Sequence, residues 1–370
     1  NSPLAALTSI AGMAGVTFLI VWIAALAIES VRRRRWRAVG VVVVLTFLVS
    51  FVIPRPFEFG GEGSTAVVAV VQGGTPGTGM EAMDVRRAVL QGHIDQTLAL
   101  AAAIDSGEVP RPQFVLWPEN SSDIDPFRDP SVAADISAAA AAVGVPIVVG
   151  AVVQTDDPTK VENTGIVWDP VTGPGERYVK NHPVPFGEFL PFREQLAPLI
   201  GRFERVPRDF VRGDSPGVLN AGRIVIGDVI CFEVAYDDVF IGTIDGGAEL
   251  ITVQTNNATY QGTAQPEQQW DISRLRALQA GRGVVVASTT GVSGFIEPDG
   301  TVTARMEEGE RGYLVQEVSL RTGRTPSTVL GAIPEILAGG VLLTGLVIAV
   351  YVHRRRRAVR ANSGDVRVDA

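Results

Sequence analysis

Ile224-Val225-Ile226-Gly227-Asp228-Val229-Ile230-Cys231 is an apolar, strand-like run that ends in the only cysteine of the 370-residue chain. A lone thiol makes no internal disulfide and builds no cysteine zinc site. Two readings remain: a small buried hydrophobe or a reactive nucleophile. Free cysteine is core more often than not, so the run by itself favours the first.

Two upstream runs shift the balance. Phe114-Val115-Leu116-Trp117-Pro118-Glu119-Asn120 is a hydrophobic strand that ends in a carboxylate, and 177–180 ends in Lys180. Lysine occurs only at Lys160 and Lys180, among 32 basic residues. In so arginine-rich a chain, a lysine at a strand end marks a place that arginine does not fill. Guanidinium holds its proton at any relevant pH, whereas a buried lysine can shift its pKa and exchange one. Acid, amine and thiol at successive strand ends form a Glu-Lys-Cys constellation.

Strand-like runs recur at 66–72, 113–117, 145–152, 165–168, 177–180, 223–231, 249–253, 283–288 and 312–318, with helical patterns at 83–104, 131–142 and 265–280. This alternation predicts an α/β domain, and the strands joined without a helix predict mixed sheets. Residues 156–160 and 298–300 read as turns. His182-Pro183-Val184-Pro185-Phe186-Gly187-Glu188-Phe189-Leu190-Pro191-Phe192-Arg193 is too apolar for a solvated loop and too proline-broken for a helix. It reads as a rigid irregular segment beside Lys180, with Glu188 as its one acid.

Three segments are long and apolar enough to ask about a bilayer, which needs about 20 residues. They run from Ile10 to Ile28, from Ala38 to Ile53 and from Ile336 to Val352. Arginine clusters at 32–37 and 354–357 fall on one side if all three span, as the positive-inside rule requires. The flanking apolar segments argue against a nucleic-acid patch. The chain then divides into a membrane section at 1–54, an extracytoplasmic domain at 64–325, a third span at 330–352 and a cytoplasmic basic tail at 353–370. This topology puts Asn1 outside and implies further membrane helices upstream. The chain is 46% apolar with a net charge of −8, and without the arginine clusters its outer part is acidic.

A thiol attacks as thiolate, and a nearby ammonium lowers its pKa. Glu119 is placed to act as general base, and Lys180 to stabilise an oxyanion. The Phe232 N–H, where strand turns to helix, offers a second donor. These parts suit acyl transfer through a thioester. Gly291-Val292-Ser293-Gly294 does not make a serine nucleophile elbow, and His93, His182 and His353 lack metal-ligand spacing.

Leu-Trp-Pro-Glu-Asn at 116–120, Tyr-Val-Lys-Asn-His-Pro-Val-Pro-Phe-Gly-Glu-Phe-Leu-Pro at 178–191 and Ile-Cys-Phe-Glu at 230–233 resemble the nitrilase superfamily. Within it they are similar to the apolipoprotein N-acyltransferases, bacterial inner-membrane enzymes. The resemblance implies an αββα sandwich flanked by transmembrane helices, with Glu119 as base, Lys180 as second triad member and Cys231 as nucleophile. It makes Glu188 an additional essential glutamate, and assigns supporting places to Phe232 and Glu233. It also implies a phospholipid acyl donor, a diacylglyceryl-apolipoprotein acceptor, and neither cofactor nor metal. Phe232 stands where relatives often have tyrosine, and Gln72-Gly73-Gly74 replaces a Gln-Gly-Asn pattern. A tryptophan found in some members has no counterpart between Gly74 and Asp84, and Ser288-Thr289-Thr290-Gly291 replaces an asparagine-containing version. Two other functions stay open on the residues alone: a membrane-tethered amidase with water as acceptor, and a silent scaffold for a partner enzyme.

Overall fold

A computed structural model describes residues 3–33, 36–52, 63–77, 87–196 and 208–364. Arg34 and Arg35, the expected helix start at Met83, most of the stretch from Gly74 to Asp84 and the tail beyond Gly364 lie outside the described residues.

The first strands are β1 (Thr65–Gln72), β2 (Phe114–Leu116), β3 (Ile147–Gln154), β4 (Lys160–Asp169), β5 (Gly173–Val179) and β6 (Asp209–Phe210). They are followed by β7 (Val218–Ala221), β8 (Ile224–Ile230), β9 (Leu250–Thr255), β10 (Val284–Ser288), β11 (Ser293–Ile296), β12 (Val302–Met306) and β13 (Gly312–Ser319). One sheet runs β13-β1-β2-β3-β4-β5, with β6 against β4; the other runs β12-β11-β10-β9-β8-β7. Pairing is parallel along β1-β2-β3 and β8-β9-β10 and antiparallel at both flanks, so both sheets are mixed as expected. The short strands β6, β7, β11 and β12 add to the nine runs that the sequence predicts.

The helices are α1 (Thr8–Arg32), α2 (Trp36–Val52), α3 (Ala88–Asp105), α4 (Pro130–Val143), α5 (Arg193–Leu196), α6 (Asp237–Asp245), α7 (Gln265–Ala280), α8 (Pro326–Leu330) and α9 (Ile333–Gly364). Helix α4 has clear local causes. Asp129 accepts from the N–H groups of Ser131 and Val132 at its start, Pro130 opens it, and Gly144 at φ 70° closes it.

Period-two alternation sorts the strands between layers. On β1, Val68 and Val70 face the other sheet while Ala69 and Val71 face α3 and α4. On β2, Phe114 and Leu116 join Ile226, Ile230 and Leu250 between the sheets. Val115 and Trp117 point the other way. Helices α6 and α7 cover the second sheet through Phe240, Ile244 and Trp270. The layering is α-β-β-α, and each such buried side chain contributes roughly 1.5–3 kcal/mol.

Helix α1 docks by its first turns. Thr8, Ser9 and Gly12 are buried. Gly12 sits at φ 67°, where an added Cβ would lie 3.4 Å from Gln279 Nε2 of α7 and 3.9 Å from Asp237 Oδ2. Further along, Ile20, Val21, Trp22 and Ile28 are exposed, as are Ile336, Leu342, Leu346 and Val350 on α9. Helices apolar on exposed faces need lipid or protein around them. Among the described residues, two are long and apolar enough to cross a membrane, over Leu4–Arg32 and Ile333–Arg355. Helix α2 is apolar as well, but has 17 residues. Both long helices meet the domain near their N-terminal ends and carry arginine at the far ends, about 30 Å away by helical rise.

Candidate active site

Each expected triad residue follows a strand closely: Glu119 after β2, Lys180 after β5 and Cys231 after β8. Gly150 of β3 makes room for the first. A Cβ there would lie 2.2 Å from the Pro118 oxygen and 2.7 Å from Glu119 Cα. Lys180 continues the ladder, its N–H donating to Asn163 at 2.9 Å.

The structure brings Lys180, Glu119 and Glu188 together. Lys180 Nζ lies 2.9 Å from Glu119 Oε1 and 2.9 Å from Glu188 Oε1. Asn163 Nδ2 donates to the same two oxygens, at 2.6 Å and 2.8 Å. The second oxygen of Glu119 accepts from the Asn256 N–H at 2.8 Å, and that of Glu188 from the Val184 N–H at 2.7 Å. Burial alone would lower the Lys180 ammonium, but Glu119 and then Glu188 outweigh it and hold it above the usual lysine range. The amine is therefore a fixed cation bridging two carboxylates.

Cys231 is half-buried and adopts φ 55°, a left-handed conformation that is costly for a residue with a Cβ. The chain turns there from β8 into a short 3-10 helix, Cys231–Ala235. Asn120 (φ 54°), Phe186 (φ 64°) and Phe192 (φ 54°) share this conformation, so most of the strained non-glycine positions adjoin site residues. The ammonium does lower the thiol pKa, as expected, but it is outweighed. Burial, then Glu119, pushes the thiol up to about 12, against the opposing pull of Lys180 and a hydrogen bond with Thr255. At neutral pH Cys231 rests as a thiol, and a base has to remove its proton during the reaction.

Glu233 is fully buried and braces the turn. It accepts from the N–H groups of Ile230 (2.9 Å), Asn181 (2.5 Å) and His182 (3.0 Å), and from the Tyr178 hydroxyl (2.9 Å). It thus ties the segment after Lys180 to the segment around Cys231. Phe232 points outward, 42% exposed, with its ring edge-on to Tyr236 at 5.3 Å. His182 stacks on Tyr236 at 4.1 Å and bonds to Asp238.

The 182–193 segment folds back on itself, Phe186 N–H donating to the Phe189 oxygen at 2.8 Å. Leu190 is buried, whereas the Phe192 ring is 77% exposed. The expectation that this apolar loop packs holds for Leu190 and fails for the Phe192 ring. Asn163, Tyr178, Thr255 and Asn256 complete the site without having been singled out from the sequence. Asn163 escapes because the first half of β4, Lys160-Val161-Glu162-Asn163-Thr164, is too polar to read as a strand.

Residues 68–325 match the carbon-nitrogen hydrolase family. The chain belongs to that family. Among curated relatives, the apolipoprotein N-acyltransferase of Mycolicibacterium smegmatis is 40% identical over 331 residues, covering 87% of this chain and 55% of that protein. The enzyme of the same name from Azotobacter vinelandii is 30% identical over 374 residues, covering 98% of this chain and 69% of that protein. The chain thus spans little more than half of the first relative's length. Two solved structures carry the fold. An amidase from a Nesterenkonia species aligns with TM-score 0.50 and 18% identity, over 71% of this chain and 92% of its own. A nitrilase-superfamily protein of Saccharomyces cerevisiae aligns with TM-score 0.51 and 17% identity, over 69% and 90%.

Proposed function

We propose that this protein transfers a fatty acyl chain from a phospholipid, through a thioester on Cys231, to the α-amine of a diacylglyceryl-cysteine at the N-terminus of an apolipoprotein. One observation carries the reading. A buried carboxylate–ammonium–carboxylate cluster is coupled to a half-buried thiol in a domain whose adjoining helices present apolar surface to their surroundings. Relatives named for this activity support the choice of substrates.

In the first half-reaction Glu119 takes the thiol proton as Sγ attacks the acyl carbonyl. Lys180 and the Phe232 N–H stabilise the oxyanion. An N–H in the first turn of a helix has no partner within that helix, which leaves it suited to this work. The intermediate collapses by breaking the ester C–O bond, Glu119 returns the proton to the glycerol oxygen, and lysophospholipid leaves. In the second half, the acceptor amine attacks the thioester, Glu119 takes an amine proton, and the thiolate departs and is reprotonated. The product is an N-acylated lipoprotein. Glu188 holds Lys180 in place, and Glu233 holds the turn that carries the thiol.

The protein then resides in a bacterial inner membrane as a multi-pass protein, with the catalytic domain on the extracytoplasmic side. Arginines at the far ends of α1 and α9 favour this orientation, with α2 as the intervening span. The test is intact-mass analysis after incubation with phospholipid. One acyl chain is expected on the wild-type protein, absent from Cys231→Ala and lost on hydroxylamine treatment. A diacylated lipopeptide should then gain that chain as an amide. Hydrolysis of the donor with no N-acylation would overturn the proposal in favour of a hydrolase with water as the acyl acceptor.

A further inference from the structure

One buried carboxylic acid has no place in this chemistry. Asp228 lies on β8, three residues before Cys231, and is fully buried. Its Oδ1 accepts from the Thr252 hydroxyl at 2.9 Å. Its Oδ2 has no hydrogen-bond partner, and neither has the equally buried Gln254 Oε1 on β9. Both oxygens line the same small space over Gly165 of β4. A Cβ on that glycine would lie 2.1 Å from Asp228 Oδ2 and 2.7 Å from Gln254 Oε1.

Two acceptors turned into one buried space are costly unless a proton lies between them; an unsatisfied buried group costs about 1–3 kcal/mol. The Gln254 amide cannot reverse to supply that proton. Its Nε2 donates across the sandwich to the carbonyl oxygens of Trp117 at 2.6 Å and Val148 at 3.3 Å. Reversal would set an oxygen against both of those acceptors. The carboxyl group is the remaining source. The location matters as well, since Gly165 pairs in register with Gly150, the glycine that makes room for Glu119.

We propose that Asp228 is held as the neutral acid, donates its proton to Gln254 Oε1, and through Gln254 fixes the Trp117 carbonyl and the Glu119 backbone two residues on. The role is that of a positioning residue, and it rests on the reading of Glu119 as base. Burial favours the neutral form and raises this carboxyl to about 7; the Thr252 hydroxyl opposes the rise and the charge of Glu233 adds to it. Glu233 from the 3-10 turn, Tyr178 from β5 and Thr252 from β9 face Asp228. No ion pair with a cation forms there among the described residues.

The sign follows from the raised value. Between about 4 and about 7 the folded protein keeps a proton that the unfolded chain has released, so stability falls as pH rises through that window. Asp228→Asn offers an N–H to Gln254 and an oxygen to Thr252 at every pH. In the whole protein, the wild-type unfolding constant is expected to rise relative to that variant by up to tenfold per pH unit across the window. Asp228→Asn should keep kcat at pH 6 and exceed the wild type above pH 7. Asp228→Ala should lose kcat about tenfold with little change in KM. Parallel pH dependence of unfolding in wild type and Asp228→Asn would overturn the proposal, as would equal loss of kcat in the Asn and Ala variants. The unfolding comparison needs no catalysis, so it stands even if acyl transfer is not the reaction.

Discussion

The two halves of the site are built by opposite means. The acid–amine half is held by side chains: Lys180 and Asn163 donate charge-assisted bonds to Glu119 and Glu188 in a buried cluster. The thiol half is held through backbone groups: Cys231 sits at φ 55°, and Glu233 accepts from the N–H of Ile230 before it and from those of Asn181 and His182 on the segment after Lys180. Charge fixes the first half and keeps the ammonium protonated. Strain and burial fix the second, which leaves the thiol protonated until substrate arrives. The contrast teaches that the amine is bonded directly to the carboxylates, whereas burial outweighs its pull on the nucleophile.

Removing the amine should do the greatest damage. Lys180→Met leaves two facing carboxylates without their cation, which costs about 3–5 kcal/mol of stability in denaturant unfolding. Acyl transfer should fall by roughly a thousandfold, as an oxyanion donor is lost. A variant that keeps its stability would show that the two halves are not held so differently. Next in size is Glu233→Ala, which strands three backbone N–H groups and should cost about 1–3 kcal/mol. Its kcat should fall more than its KM, because the turn loosens while the substrate surface remains. The smallest effect, and the most specific, is on titration. The Glu119 charge raises the Cys231 thiol, so Glu119→Gln lowers it, and alkylation by iodoacetamide should set in at lower pH than in the wild type. An unchanged alkylation profile would uncouple the halves.

Much of this arrangement was legible in the chain. The apolar runs before Glu119, Lys180 and Cys231 have strand periodicity and end in reactive groups, and helix α7 matches its pattern at 265–280 from end to end. Asn163 was not legible, because a polar residue in a polar half-strand carries no local signal of burial. Glu233 announced its place in a motif but not its bonds, since its partners come from segments far apart in the chain.

The sequence alone determined an α/β domain with mixed sheets, the apolar end helices and an acid, an amine and a thiol at strand ends. Those depend on periodicity, composition and residue chemistry, which are local. Only the tertiary structure decided what each group does to the next. The thiol lies too deep for the ammonium to ionise it, the amine serves two carboxylates, and Asp228 faces an acceptor on another strand. Burial and pairing set those properties, and both arise only when distant segments share one low-dielectric interior.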